Sequence, residues 1–210
     1  DALGRRIAVE DPRKGISTIN YDPSGRLEAV QDPAGNRARF EYDPKSGRKI
    51  SEINALNKAT RYQYNQRGQL IRSWGDVPYP VEYVYDAFGQ MMVMRTFRSG
   101  HGWNGDTWPA DTGPGDQTIW HYQPTTGLLL AKEDAKGHRT SYTYGPAGAL
   151  KTRTWARLKN GKPLRTTYQY EKKTRELKQI DYSDETPDIA FAYDRLGRMV
   201  RVSDAAGVHT

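Results

Sequence analysis

The segment TINYDPSGRL, residues 18–27, decides the fold, because close variants of it recur along the whole chain. Ile19 and Tyr21 are two residues apart, so in a β-strand their side chains lie on the same face of the sheet. Asp22 begins a turn in which its carboxylate can accept a backbone N–H, and Gly25 supplies the left-handed conformation that closes the turn. The segment therefore predicts a β-hairpin.

Eight such units follow one another, each anchored by a tyrosine that ends an aromatic-x-Tyr strand or, in the first unit, an Ile-x-Tyr strand. The anchoring tyrosines are separated by 21, 22, 21, 37, 22, 26 and 23 residues, a regularity that chance does not produce. Internal repetition of this kind is the signature of a repeat architecture. The residues of the repeated structural motif are Tyr21, Asp22, Gly25, Tyr42, Asp43, Gly47, Tyr64, Gly68, Tyr85, Asp86, Gly89, Tyr122, Gly127, Tyr144, Gly148, Tyr170, Tyr193, Asp194 and Gly197.

The repeat predicts an all-β fold of repetitive antiparallel β-hairpins. Two turns per unit leave about two strands for every repeat of roughly 22 residues, and a ribbon of so many twisted strands is expected to form a long curved or coiled sheet, a partial β-shell. Leu27 and Val30 are an odd number of residues apart, which indicates either a β-bulge or apolar contacts on both faces. Lys49 breaks the pattern in which an apolar residue such as Leu27 stands two positions after the turn glycine. Arg175 stands where glycine is expected, so the turn that contains Arg175 should be strained or differently shaped.

Two segments interrupt the repeats. Residues 98–118 form a loop insertion rich in Gly, Pro and Trp, which separates repeats one to four in residues 1–97 from repeats five to eight in residues 119–210. The composition of this insertion excludes a central strand, and loops of about 20 residues are often functional. Residues 74–81 contain two prolines and indicate a rigid connection.

The loop insertion contains Trp103 and Trp108, for which the sequence leaves two interpretations open. The indole rings could bind a ligand by stacking on sugar faces, or they could pack onto the sheet as a plug. The loop also contains several acidic residues, but their spacing departs from that of a calcium-binding loop. We therefore predict no metal site.

The composition does not indicate catalytic chemistry. The 210 residues include no cysteine, so disulfides and thiolate chemistry are excluded. The net charge of +7 is dispersed along the chain, which argues against nucleic-acid binding, and no apolar run is long enough for a membrane span. The four histidines are scattered, and nearly all aspartates occupy equivalent turn positions. We therefore expect no catalytic residues, no cofactor and no enzymatic activity.

The motifs YDPSGRL at Tyr21, YDAFGQM at Tyr85 and YDRLGRM at Tyr193 resemble the YD repeats of the RHS-repeat family. That family includes bacterial polymorphic toxins, the shell-forming subunits of insecticidal toxin complexes, and animal teneurins. The resemblance implies a hollow β-sheet shell that encloses a variable C-terminal effector of the same chain, in a secreted or cell-surface bacterial protein. The expected partners are therefore the neighbouring repeats and the enclosed effector.

The resemblance also limits what can be assigned. The family's self-cleaving element ends in a D-P-x-G-L type of motif, whereas Gly25 is followed here by Arg26 and Gly35 by Asn36. Self-cleavage is therefore not expected. The alternative function, by analogy with teneurins, is a carbohydrate-binding or cell-surface adhesion module that would bind glycans through the Trp-containing loop.

Overall fold

The computed structural model describes residues 1–13, 15–76, 79–98 and 101–210. Over these residues the protein is all β, as predicted, with 18 strands in antiparallel pairs and a single short 3-10 turn at Pro146–Gly148. The strands are β1 (Ala8–Glu10), β2 (Ile16–Tyr21), β3 (Leu27–Gln31), β4 (Arg37–Tyr42), β5 (Lys49–Ile53), β6 (Ala59–Tyr64), β7 (Leu70–Gly75), β8 (Val81–Tyr85), β9 (Met91–Phe97), β10 (Gly115–Tyr122), β11 (Leu129–Glu133), β12 (Arg139–Tyr144), β13 (Leu150–Lys159), β14 (Lys162–Tyr170), β15 (Leu177–Tyr182), β16 (Ile189–Tyr193), β17 (Met199–Asp204) and β18 (Gly207–His209).

The chain forms two compact units, Asp1–Gln117 and Thr118–Thr210. In the first unit β1 to β9 pair with their neighbours in chain order, and in the second unit β10 to β18 do the same. The eight predicted hairpins are β2–β3, β4–β5, β6–β7, β8–β9, β10–β11, β12–β13, β14–β15 and β16–β17. The short strands β1 and β18 are additional. Among the described residues no helix is long and apolar enough to cross a membrane.

A β-bulge occurs at the anchoring tyrosine of all eight hairpins. In the first hairpin Tyr21 pairs with Leu27, whereas the residue before the tyrosine pairs with Ala29, so Glu28 is the extra residue. Val30 consequently pairs with Ile19. Directly paired residues share a face, so the bulge brings two apolar residues of odd spacing onto the face of the tyrosine. Of the two predicted alternatives, a β-bulge or apolar contacts on both faces, the structure therefore has the β-bulge.

The turns follow the predicted hydrogen bonding. In the first hairpin the Asp22 carboxylate accepts the Arg26 N–H at 2.8 Å, and the Gly25 N–H donates to the Asp22 carbonyl at 2.9 Å. Arg175 keeps the geometry of the longer turns, because its N–H donates to the carbonyl four residues earlier, as that of Gly47 does. The φ of Arg175 is +63°, a conformation that favours glycine. Its turn is therefore strained, with no change in shape.

The interruptions are shorter than predicted. β10 begins at Gly115, so the predicted loop over 98–118 includes the first four residues of a strand. The backbone hydrogen bonds of the sheet ladder extend into this segment despite its glycine. Trp74 and Gly75 end β7, and Val81 begins β8, so the predicted connection over 74–81 is also reduced. Within these two segments, residues 77–78 and 99–100 lie outside the described residues.

The two faces of each unit differ in chemistry. We call the face that carries the anchoring tyrosines the tyrosine face and the opposite one the polar face. No large side chain among the described residues is completely buried, and the buried apolar residues are few: Ala29, Ala59, Trp74, Phe97 and Ala131. Most tyrosines are half-buried. Stability must therefore come from many contacts between neighbouring hairpins, as in other repeat proteins.

Candidate structural site on the tyrosine face

Several anchoring tyrosines connect their hairpin to the hairpin or turn that precedes it. In five of them the hydroxyl donates a hydrogen bond to a backbone carbonyl of the preceding hairpin or turn. The bonds are Tyr21 to Arg6 at 3.0 Å, Tyr42 to Leu27 at 2.8 Å, Tyr85 to Leu70 at 2.9 Å, Tyr144 to Leu129 at 2.8 Å, and Tyr170 to Leu150 at 3.0 Å. We call these contacts tyrosine–carbonyl bonds.

The extent of the β3–β4 pairing explains why the Leu27 carbonyl needs a side-chain partner. The pairing of β3 with β4 extends only from Gln31 to Ala29, so the carbonyl of Leu27 lies beyond the last backbone pair. A backbone carbonyl without a partner costs free energy when it is shielded from water. The Tyr42 hydroxyl supplies that partner from the adjacent strand. Leu27 thus pairs with Tyr21 at the bulge and accepts a hydrogen bond from Tyr42 of the next hairpin.

Burial raises the pKa of the phenols of Tyr85, Tyr144 and Tyr170, and the tyrosine two residues before each of them adds to the shift. The hydroxyls consequently remain protonated, and able to donate, well above neutral pH. Tyr64 and Tyr193 form no such bond with any residue that the structure describes.

The turn arginines add a second connection between hairpins. The Arg26 Nε donates to the Asp22 carboxylate at 2.7 Å, and its guanidinium lies 4.7 Å from the ring centroid of Tyr42 in the next hairpin. The aspartate thus holds the arginine in place, and the arginine stacks on the following tyrosine. The Asp22 turn is in this way coupled to the next strand pair.

The first residues of the chain form a turn of the same kind, which the search for aromatic-x-Tyr missed. Arg5 pairs with Asp1 at 2.7 Å and stacks on the ring of Tyr21 at 4.4 Å, while Tyr21 bonds to the carbonyl of Arg6. The signal that could have found this turn is the Asp-x-x-Gly-Arg spacing of residues 1–5.

Lys49 occupies the position of Leu27 in the second hairpin, and Glu52 occupies that of Val30. Their side chains form an ion pair at 2.6 Å, and the Lys49 ammonium lies 5.0 Å from the ring centroid of Tyr62. Burial by itself lowers the pKa of Lys49, but the hydrogen bond to Glu52 and nearby negative charge raise it overall. An ion pair therefore replaces the apolar Leu27–Val30 pair of the first hairpin.

The two loop tryptophans pack together on the polar face of the first unit. The ring centroids of Trp103 and Trp108 are 5.0 Å apart, and each lies 5.6 Å from that of Phe97. Trp74 contacts Trp108 at 5.7 Å and donates its indole N–H to the carbonyl of Gly105 at 3.1 Å. Both loop rings are half-buried. Their proposed binding of a ligand stays a prediction.

Two acidic residues of the loop insertion are engaged in separate ion pairs. Asp106 pairs with Arg61 at 2.5 Å, and Asp116 pairs with Arg98 at 2.8 Å. Among the described residues no group of three or more His, Cys, Asp or Glu side chains could hold a metal ion. In the structure these acidic side chains thus form contacts between the sheet and the loop insertion.

The fold is similar to that of two known crystal structures, TcdB2-TccC3-TEV and TcdB2-TccC3 without its hypervariable C-terminal region. Sequence identity is 19% in both comparisons, and the TM-scores are 0.58 and 0.57. The fold is shared. The likeness covers 97% of this chain but only 12% of each of those chains. No protein-family model and no curated protein matches the chain.

Proposed function

We propose that the chain is a structural scaffold segment of an RHS/YD-repeat protein, in which a β-sheet shell encloses or presents a toxin or effector region of the same, longer chain. The observation that carries the proposal is the tyrosine–carbonyl bond, which recurs in five hairpins. Each bond joins one hairpin to the next, as expected of an array whose repeats are stabilised by their neighbours.

Two further observations support the scaffold role. The fold resembles 12% of the TcdB2-TccC3 chains, which is consistent with a segment of a larger array. The motif aspartates are used in turns, where they accept backbone N–H groups, as Asp86 and Asp194 do. We therefore propose that the segment has no enzymatic activity of its own and that its longer chain is secreted or displayed on a bacterial surface.

The test is protection of the rest of the chain from protease. In the longer polypeptide, the region outside the repeats should be cut much more slowly when the hairpins are intact than when it is expressed alone. A Tyr85→Ala/Tyr144→Ala variant should lose this protection, whereas Tyr79→Ala should keep it, because Tyr79 is 75% exposed. Equal cleavage of the attached and isolated region would contradict enclosure by the scaffold.

Carbohydrate binding through Trp103 and Trp108 is a second, separate proposal, because each indole keeps part of its surface accessible to solvent. The measurement is a glycan-array screen of the parent chain and of the Trp103→Ala/Trp108→Ala variant. Binding that is lost in a variant with an unchanged circular dichroism spectrum would support adhesion. The absence of binding by the parent would leave the two rings with a packing role.

A further inference from the structure

Two neighbouring hairpins of the second unit carry a cation at a position of the tyrosine face where the first unit has none. Lys132 pairs with Trp120, and Arg153 pairs with Tyr142, at the sheet position that Val30 occupies in the first hairpin. The corresponding residues of the other first-unit hairpins are Glu52, Ser73 and Met94.

Both cations are stacked on aromatic rings. The Lys132 ammonium lies 5.2 Å from the ring centroid of Trp120. The Arg153 guanidinium lies 3.4 Å from the ring centroid of Trp155 and 5.8 Å from that of Tyr142. Stacking of this kind holds a long side chain against the sheet and fixes where its N–H groups can point.

Neither cation is neutralised. Within the described part of the chain, Lys132 and Arg153 form no ion pair and no side-chain hydrogen bond, and the buried Arg153 Nε is without a partner. The stacked cations of the first unit differ, since each of them is paired with a carboxylate. The pairs are Arg5 with Asp1, Arg26 with Asp22, Lys49 with Glu52, and Arg72 with Glu82.

We propose that Lys132 and Arg153, together with Trp120, Tyr142 and Trp155, form a binding surface for an acidic, extended segment of a partner polypeptide. A guanidinium held flat against an indole presents the donors on its edge, which suits a carboxylate. One strand, β12, separates the two residues, and their partners in it, Thr140 and Tyr142, are two positions apart. The Cα atoms of Lys132 and Arg153 are therefore about 12 Å apart. Carboxylates two to four residues apart in an extended chain span a similar distance, about 7–13 Å.

An acidic polypeptide fits this surface better than an acidic polysaccharide. Sugars bind to aromatic side chains by stacking on the ring face, and here the chain's own cations cover faces of Trp120 and Trp155. The ring edges remain to pack against aliphatic side chains. This surface goes beyond the scaffold role, which would stand without it.

The test uses the 210-residue chain and a short fluorescent peptide with glutamate at alternate positions, compared with the same peptide carrying glutamine. The parent should bind the glutamate peptide, and Lys132→Gln/Arg153→Gln should weaken the binding about tenfold or more, since hydrogen bonds to charged groups are lost. The matched control is Lys136→Gln/Arg157→Gln, which removes the same charge at two exposed positions and should change the affinity less than about twofold.

Folding and the scaffold role are controlled separately. The circular dichroism spectrum should be unchanged in both double variants, and the chain should remain folded at the temperature of the binding assay, because each cation–π contact at the surface contributes only about 0.5–1 kcal/mol. Three results would each overturn the proposal: no saturable binding by the parent, equal weakening by the control variant, or binding of an acidic oligosaccharide in preference to the peptide. None of them bears on protection by the scaffold, which the protease experiment measures.

Discussion

At the residue scale, the hydroxyl of the anchoring tyrosine is the single group that distinguishes it from phenylalanine, and it connects two hairpins. The Tyr85 hydroxyl donates to the Leu70 carbonyl at 2.9 Å. Tyr85→Phe should lower the free energy of unfolding by about 0.5–1.5 kcal/mol, the usual net value of such a bond. Urea unfolding followed by circular dichroism measures this loss.

The control for this prediction is Tyr83→Phe in the same strand. The Tyr83 hydroxyl forms no hydrogen bond with any residue in the described ranges, although its ring is also half-buried. Its loss of stability should therefore be smaller than that of Tyr85→Phe. Equal losses in the two variants would show that the tyrosine–carbonyl bond contributes nothing measurable.

The same tyrosines predict how stability depends on pH. Burial raises the pKa of Tyr62, Tyr85, Tyr144 and Tyr170 above the ordinary value of 10.0. The folded chain then binds these protons more tightly than the unfolded chain. Their contribution to stability is fully present below about pH 10 and is lost as the pH rises through the folded-state pKa values.

Urea midpoints measured from about pH 8 to about pH 11 should therefore fall steeply above about pH 10. The fall should be shallower in a Tyr85→Phe/Tyr144→Phe variant, in which two of the shifted groups are removed. If the urea midpoint falls equally steeply with pH in the parent and in the variant, the loss of stability does not come from the ionisation of these phenols.

At the element scale, the hairpin turns show how a residue can be forced into an unfavourable conformation by its neighbours. Arg175 has a φ of +63° in a turn where Gly47 and Gly127 have φ of +70°. Left-handed backbone costs a non-glycine residue about 1–2 kcal/mol, and glycine loses more chain entropy on folding by about 0.4–1 kcal/mol. Arg175→Gly should therefore stabilise the chain by about 0.5–1 kcal/mol.

Thermal unfolding of Arg175→Gly checks this expectation, and Gly47→Arg is the reverse substitution. A side chain added at Gly47 would meet only ordinary contact with Arg26, at 3.5 Å, so its cost would be mainly that of the backbone. The two variants should shift the unfolding temperature in opposite directions. A decrease for Arg175→Gly would mean that the arginine side chain contributes more than its backbone strain costs.

At the scale of the whole molecule, repeat proteins are stabilised mainly by contacts between neighbours, so a local defect should stay local. Trp108 contacts Trp74, Phe97 and Trp103, all within the first unit. Trp108→Ala should lower stability there by about 1–3 kcal/mol, less than for a fully buried ring. Hydrogen exchange should accelerate in the first unit.

The second unit, Thr118–Thr210, should keep its exchange rates in this variant. Tyr79→Ala serves as the control in the first unit, since Tyr79 is 75% exposed and its removal should leave exchange unchanged. Faster exchange in both units would mean that the chain opens as a single cooperative body, contrary to the expectation for neighbour-stabilised repeats.

The hairpins themselves were predictable from the sequence, because each depends on residues close together in the chain. The aromatic-x-Tyr pattern, with Ile-x-Tyr in the first unit, placed eight strands, and the Asp-x-x-Gly spacing placed the turns after Tyr21, Tyr85 and Tyr193. The odd spacing of Leu27 and Val30 indicated a bulge as one of two alternatives. The turn at residues 1–5 was not predicted, because the repeat is defined by its tyrosine and these residues contain only the Asp-x-x-Gly-Arg spacing.

The contacts that define the candidate sites required the tertiary structure, because each depends on strand register or on a distant loop. The tyrosine–carbonyl bonds mostly join residues 15 apart, and the Arg61–Asp106 ion pair joins residues 45 apart. The sequence shows that Lys132 and Arg153 are basic, but only cross-strand register decides whether a carboxylate faces them. The sequence alone thus determined the repeated hairpin, whereas the tertiary structure decided which side chains are paired and which remain available to a partner.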